Sequence, residues 1–161
     1  EEDAEKIISA VYDSAKAFSL RDRDDVEAGA ELKDLTHVVR LRLSCRSAEN
    51  LILSDETLQS VGKNWNQTQE LFDSWLTNNL SHAHYQSMKN FKDGKYDRMN
   101  FSLKEIRNDI MGILGVSKPW EVVVGQTIAS LKWELGTDFF KEGSIFAYLG
   151  EKTVKNLLPK E

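Results

Sequence analysis

The sequence predicts an all-α protein, folded as a single-domain helical bundle of about six helices over residues 1–161. Apolar residues recur at three- and four-residue steps along most of the chain, which is the spacing of one helix face. In the second half, a capping residue, an apolar stripe and a glycine follow one another repeatedly. A chain of 161 residues, 40% of them hydrophobic, has the size and composition of one ordinary domain.

The first helix is predicted at the beginning of the chain. Its apolar stripe consists of Ala4, Ile7, Val11, Ala15 and Phe18. The acidic side chains among residues 1–5 complement the positive end of the helix dipole. The charged segment 21–25 that follows is interpreted as a polar connection.

Residues 28–45 fit two interpretations. A helical spacing continues through Ala28, Leu32, Leu35, Val39 and Leu43. The alternation of Val39, Leu41, Leu43 and Cys45 with polar residues is instead typical of a short half-buried strand near residues 37–45. We favour the helix, because the strand has no evident partner in the sequence and one strand cannot form a sheet.

A long helix is predicted from Ser54 onwards. Its apolar seam steps alternately by three and four residues through Leu58, Val61, Trp65, Thr68, Phe72 and Trp75. Gly62 or the pair Asn78-Asn79 can interrupt this helix, which otherwise extends to Phe91. The seam suits either homodimerisation or packing against another helix of the same chain.

Glycines divide the helices predicted in the second half. Ser102 and Glu105 have the spacing of a capping box, and Gly115 ends the helix that follows. Pro119 lies in the first turn of the next helix, which ends at Gly136. The predicted stripes of these two helices are Ile106, Ile110 and Ile113, then Val124, Ile128, Leu131 and Leu135. Thr137 caps a further helix that stops at Gly150, and a short last helix carries Val154, Leu157 and Leu158.

Composition excludes several classes of function. The net charge of −5 disfavours nucleic-acid binding, because phosphate backbones attract positive surfaces. The single cysteine, Cys45, can form neither an internal disulfide nor a thiolate zinc site, and we expect a cytoplasmic protein. No apolar run reaches the roughly 18–20 residues of a transmembrane segment.

The histidines do not predict a metal site. On the predicted long helix, His82 and His84 diverge by about 200°, so they cannot share an ion. Asp34 and His37 have a suitable helical spacing, but metal-binding bundles need two such units. We therefore predict no metal and no cofactor.

Catalytic residues are not predicted either. If Cys45 and His37 share a helix, about 12 Å along its axis separates them, which exceeds the reach of a hydrogen bond. The acids Glu2, Glu5, Asp22 and Asp25 resemble, only loosely, the paired acidic motifs of all-α nucleotide pyrophosphatases. Such a resemblance implies a small metal-dependent hydrolase acting on a phosphate-containing substrate, and we keep it as the alternative function.

The tryptophans are the candidate binding residues. Trp65 and Trp75 lie on the predicted seam, whereas Trp133 lies off its helix stripe and is the best candidate for an exposed aromatic. The leading prediction is a non-enzymatic interaction, sensory or regulatory domain that binds a protein partner through a helix face or a groove between helices. A small-ligand pocket lined by Trp and Phe is a third hypothesis.

Overall fold

A computed structural model of the chain describes residues 2–11, 16–27, 32–131 and 140–158. Within these ranges the fold is mostly helical with a small two-stranded sheet, so the predicted helical character is confirmed, whereas the bundle of six helices is not. The elements are α1 (Glu2–Val11), β1 (Ala17–Arg21), β2 (Val38–Arg42), a 3₁₀ helix (Ala48–Leu53), α2 (Asp55–Ser60), α3 (Trp65–Asn78), α4 (Tyr85–Asp93), α5 (Arg107–Ile113), α6 (Trp120–Ser130), α7 (Ile145–Leu149) and α8 (Glu151–Leu157).

The sheet corrects two predictions. Strands β1 and β2 pair in parallel, from Ala17 opposite Val38 to Arg21 opposite Arg42. The helix favoured for residues 28–45 is therefore wrong over β2, and the strand interpretation is right. Phe18 belongs to β1 and not to the stripe of the first helix, which ends at Val11. The partner strand escaped prediction because Phe18 continues the helical spacing by chance.

Helix α1 is held through a polar contact. The carboxylate of Glu5 accepts the backbone N–H of His37 at 2.8 and 3.0 Å, next to the beginning of β2. Ala4 and Ile7 of the predicted apolar stripe are exposed, Ile7 over 66% of its surface, so neither is buried against the part of the chain that the structure describes. Ala15 of that stripe lies outside the described residues.

The predicted long helix is divided into α2, α3 and α4. Gly62 adopts a positive φ of 73° between α2 and α3, which a glycine adopts without strain. Asn64 then caps α3, since its side chain accepts the N–H of Gln67 at 3.0 Å and the Gln67 side chain accepts the N–H of Asn64 at 3.1 Å. The Asn78-Asn79 pair ends α3, as the sequence suggested.

The seam packs into the core of the same chain. Leu58, Thr68 and Phe72 are fully buried, and Trp65 and Trp75 are partly buried against the core. Of the two predicted possibilities, the structure thus shows the seam packed against other parts of the same chain. Phe72 occupies the centre of an aromatic cluster, with its ring centroid 6.5 Å from Trp65, 5.9 Å from Phe91 and 5.7 Å from Tyr96. Edge-to-face and tilted pairs of this kind add roughly 0.5–1.5 kcal/mol each beyond area burial.

The second half follows the predicted order with shifted boundaries. The capping box at Ser102 does not form, because α5 begins only at Arg107 and Glu105 instead accepts the hydroxyl of Ser87 at 2.6 Å. Pro119 precedes α6 as its cap residue and does not lie in its first turn. Gly115 and Gly150 have positive φ angles of 75° and 85° at the predicted helix ends.

The remaining predictions of the second half have mixed outcomes. Ile106, Ile110, Val124 and Val154 are buried as expected. Residues 132–139, which include the predicted Gly136 stop and the Thr137 cap, lie outside the described residues. Among the described helices, none is both long enough and apolar enough to cross a membrane.

Replacing Phe72 with alanine tests the role of the aromatic cluster. Phe72 is 0% exposed, so its removal should lower the free energy of unfolding by about 3–5 kcal/mol through lost burial and a residual cavity. Urea unfolding measures the change. The control is Leu80→Ala at a side chain 69% exposed, which should change stability by less than about 0.5 kcal/mol. Equal effects of the two substitutions would contradict the packing described here.

Candidate functional site

A pocket of about 720 Å³ lies between the first turn of α3, the turn that follows α4, and α7. Residues 94–100 form one wall, and Trp65, Glu142, Gly143 and Tyr148 form the rest of the described lining. The volume lies within the range of roughly 300–1,000 Å³ that is typical of small-molecule sites. The lining of the pocket includes a cation held in a fixed position, a turn with a strained backbone and a buried hydroxyl group.

The turn after α4 is strained at two consecutive residues. Lys95 and Tyr96 have φ angles of 58° and 54°, in the left-handed region that side chains with a Cβ disfavour. Each such residue costs about 1–3 kcal/mol and persists only where its surroundings hold it. The Tyr96 ring is buried in the aromatic cluster, and its hydroxyl donates to Asp73. Lys92 bonds the same carboxylate at 2.8 Å, and these two bonds lower the pKa of Asp73.

Arg98 is the fixed cation of the pocket wall. Its guanidinium carbon lies 4.4 Å from the ring centroid of Trp65, within the range of a cation–π contact. Its Nη1 donates to the Leu53 carbonyl at 2.9 Å and to the Asp55 carboxylate at 2.7 Å. The side chain is only 14% exposed, so these contacts fix the cation and the Trp65 ring together.

Gly143 allows the segment before α7 to lie directly against Arg98. A Cβ at this position would lie 2.0 Å from Nη2 of Arg98 and 2.8 Å from Oδ2 of Asp55. The backbone of Gly143 also has a φ of 85°, and its carbonyl accepts the N–H of Asp55 at 2.9 Å. Glycine is therefore required here for two reasons, space and backbone conformation.

The hydroxyl of Tyr148 is buried in the pocket wall without a hydrogen-bond partner among the described residues. The residue is 1% exposed, and burial raises the pKa of the hydroxyl well above its usual range, so it remains a donor at neutral pH. An unsatisfied buried hydroxyl costs about 1–3 kcal/mol, and most buried hydroxyls in native proteins have partners. Sequence reasoning missed this residue, because nothing in the local pattern at Tyr148 indicates an unpaired hydroxyl.

The predicted binding tryptophans are found in different places. Trp65 lines the pocket, and Trp75 packs at the far end of α3 with its ring centroid 5.0 Å from that of His82. Trp133 lies outside the described residues. Of the two candidates that the structure describes, Trp65 lines the pocket and Trp75 does not.

The histidine pair differs from its prediction. His82 and His84 lie in the connection between α3 and α4 and not on a helix, so the expected divergence of about 200° does not arise. Their rings approach each other, with 5.6 Å between centroids, and both face Asp109 of α5. In the described ranges, this is the one group of three or more His, Cys, Asp or Glu side chains close enough to share an ion.

The acids considered for a phosphate hydrolase do not converge. Glu5 binds the His37 amide, and Asp22 accepts the N–H of Ala48 at 2.9 Å. Asp25 pairs with Arg46 at 2.6 Å. Each of these three carboxylates therefore contacts a different part of the chain, and no shared cation position arises among them.

Cys45 is a buried thiol. It is fully buried, its Sγ donates to the Ser47 carbonyl at 3.2 Å, and burial raises its pKa to about 12. A nucleophilic cysteine needs the thiolate near neutral pH. Because Cys45 is fully buried and its pKa is raised, little thiolate forms near neutral pH, and the absence of catalytic residues stays a prediction.

Substitution of Gly143 by alanine should displace Arg98 from the pocket wall. We expect a loss of at least about 2 kcal/mol of stability, from the steric conflict added to the cost of a left-handed alanine. The matched control is Gly115→Ala, since Gly115 has a φ of 75° but nothing within 4 Å of its Cβ position. The control should cost only about 1 kcal/mol. Urea unfolding compares them, and equal losses would argue against the close approach of Gly143 to Arg98.

Thiol labelling tests the burial of Cys45. At about pH 8 the native protein should react with an aromatic disulfide reagent at a rate set by unfolding, because the thiolate form is suppressed. The denatured chain should react with one equivalent at once. Since the folded pKa exceeds the unfolded value of 9.0, stability should also fall as pH rises above about 9, and this fall should weaken in Cys45→Ala. Rapid labelling of the native protein would contradict this account.

Comparisons with known proteins give no match for this chain: no family model matches it, and neither does any curated protein or any solved structure. The functional conclusion therefore depends on the geometry of the described residues. The pocket next to Trp65, Arg98 and Tyr148 is the candidate functional site of the protein.

Proposed function

We propose that the protein is a non-enzymatic, sensory ligand-binding domain that takes a small organic molecule into the pocket between Trp65, the 94–100 turn and Tyr148. The single observation that carries this proposal is the buried Tyr148 hydroxyl in the pocket wall, for which the described part of the chain supplies no hydrogen-bond partner. A ligand oxygen that accepts its proton would offset the cost of burying it.

The surrounding side chains suggest the chemistry of the ligand. Tyr148 supplies a neutral donor, and Arg98 supplies a guanidinium group that is held beside Trp65 and already pairs with Asp55. Lys95 adds an exposed ammonium group at the strained turn. A carboxylate attached to a planar or apolar body matches these donors and this aromatic wall.

Access to the hydroxyl requires a small rearrangement of the wall. Less than 1 Å² of the Tyr148 oxygen is exposed, so a ligand must displace neighbouring side chains to reach it. The strained residues Lys95 and Tyr96 also line this pocket. Strain of this kind is common at ligand-binding segments, because it lowers the cost of moving between two conformations.

The other predicted functions have less support. Binding of a protein partner stays a prediction, since Trp133 lies outside the described residues and Trp65 and Trp75 pack against the core. A homodimer through the seam would need side chains that are buried in this chain, such as Leu58 and Phe72. A phosphate hydrolase at Glu2, Glu5, Asp22 and Asp25 has no convergent acidic site to support it within the described ranges.

Replacing Tyr148 with phenylalanine separates function from stability. The ligand-free variant should be more stable than the native protein by about 1 kcal/mol, because it removes an unsatisfied hydroxyl. Its affinity for a carboxylate ligand should fall about tenfold, which corresponds to one lost hydrogen bond. Thermal shift and tryptophan fluorescence with a panel of aromatic and aliphatic carboxylates measure both effects.

The control variant is Tyr85→Phe, at a tyrosine of α4 that does not line the pocket. It should change neither the melting temperature in the presence of a binding carboxylate nor the fluorescence response. The proposal fails if no carboxylate of the panel raises the melting temperature of the native protein. It also fails if Tyr148→Phe and the native protein bind the same compound equally well.

A further inference from the structure

A second cluster lies away from the pocket, beside the far end of α3. The Nδ1 atom of His84 is 2.6 Å from Oδ2 of Asp109, and the Nε2 atom of His82 is 3.7 Å from Oδ1 of the same carboxylate. Ligand atoms from all three side chains lie within 4.8 Å of one another. We propose that His82, His84 and Asp109 bind one divalent transition-metal ion.

The connection between α3 and α4 brings the two histidines together. The N–H of His82 donates to the Asn79 carbonyl at 2.9 Å, and the N–H of Tyr85 donates to the His82 carbonyl at 3.0 Å. These bonds fold residues 79–85 into tight turns, which bring the side chains of residues 82 and 84 to the same side. Trp75 packs edge-on against the His82 ring, with an interplanar angle of 71°, and limits its movement.

Asp109 is positioned by a different part of the chain. It lies in the first turn of α5, next to the fully buried Ile110, and its side chain is 17% exposed. The bond between Ser87 and Glu105 at 2.6 Å joins α4 to the segment that leads into α5. The carboxylate is thus held in place by core packing, which is what a preformed ligand position requires.

The distances are close to those of a metal site. Around a tetrahedral ion with bonds of about 2.0–2.1 Å, neighbouring ligand atoms are roughly 3.3 Å apart. The observed separations of 2.6 and 3.7 Å, each to a different oxygen of Asp109, fall on either side of this value. Since all three ligand atoms lie within 4.8 Å of one another, shifts of about 1–1.5 Å would complete the geometry. A hydrogen bond accounts for the contact between His84 and Asp109. It does not account for the approach of His82, because 3.7 Å between its Nε2 and Oδ1 of Asp109 is too long for a hydrogen bond.

The donor set selects the class of ion. Two imidazoles and one carboxylate suit Zn²⁺, Ni²⁺ or Cu²⁺, whereas Mg²⁺ and Ca²⁺ require mostly oxygen ligands. The side chains of His82 and His84 are each 38% exposed, so at least one coordination position remains open to water. Three protein ligands and an open position describe an exchangeable site and not a closed structural one.

Binding requires a proton to move on each histidine ring. At 2.6 Å the Nδ1 of His84 donates to the Asp109 carboxylate, so this proton must leave Nδ1 before Nδ1 can bind the ion, and the neutral ring then carries its proton on Nε2. The Nδ1 atom of His82 now accepts the N–H of His84 at 3.2 Å, so a neutral ring carries its proton on Nε2. For Nε2 to bind the ion, that proton must sit on Nδ1, and the contact with the His84 amide must open. A small rotation of the His82 ring against Trp75 opens this contact, and exchange with solvent water moves the proton from Nε2 to Nδ1. Trp75 fluorescence should therefore respond to metal.

Calorimetric titration of the full chain with Zn²⁺ tests the site. We expect one Zn²⁺ per chain, with Mg²⁺ giving no heat. His84→Ala, His82→Ala and Asp109→Asn should each lower the affinity at least about tenfold. The matched control is His37→Ala, which removes the third histidine of the sequence and should bind as the native protein does.

Fluorescence locates the bound ion independently. Cu²⁺ should quench Trp75, whose ring centroid is 5.0 Å from that of His82, and Trp75→Phe should lose most of this quenching while still binding Zn²⁺. If His84→Ala fails to fold by circular dichroism, the exposed His82→Ala variant decides the question. The proposal is overturned if the native chain binds no Zn²⁺ below about 1 mM. It is also overturned if both histidine variants bind normally, or if only His37→Ala loses binding. None of these readouts depends on the carboxylate pocket.

Discussion

The guanidinium of Arg98 lies where four segments of the chain meet. It stacks on Trp65 at the beginning of α3, binds Leu53 in the 3₁₀ helix and Asp55 in α2, and contacts the backbone of Gly143 before α7. A partly buried charge is stable only where its hydrogen bonds are satisfied, so these partners have to be held in place together. The described pocket and the packing of the α2–α3 corner both depend on this arrangement.

The aromatic cluster beside Arg98 stabilises this region and offsets the local costs of the strained turn and the buried hydroxyl in the pocket wall. Phe72, Phe91 and Tyr96 bury their rings against one another, and Tyr96 does so while its backbone is in the left-handed region. The unpaired Tyr148 hydroxyl adds a further cost on the opposite wall. Local costs of this kind are expected at sites selected for binding and not for maximal stability.

Helix α3 connects the two proposed sites. Trp65 occupies its first turn at the pocket, and Trp75 lies ten residues further, about 15 Å along the axis, against the histidine cluster. The two tryptophans are therefore separate reporters, one for each site. The sequence placed both on one seam, and that seam explains why each ring is half-buried and faces the core.

Features that depend on local spacing can be derived from the amino-acid sequence alone. Gly62, Gly115 and Gly150 mark observed helix ends, and Leu58, Phe72, Ile110 and Val154 are buried as their periodicity predicts. These outcomes follow from backbone freedom and from the need to bury one face of each helix. Helix starts were less certain, as the shift from Ser102 to Arg107 illustrates.

Tertiary structure decided the features that join distant residues. The partner of β2 lies about twenty residues earlier in a segment with helical spacing, so only long-range pairing could identify β1. The approach of Asp109 to His82 and His84 depends on where α3 ends and how α5 packs, and the unpaired hydroxyl of Tyr148 depends on which atoms surround it. Periodicity reports which face of an element is buried, but it contains no information about which other element covers that face.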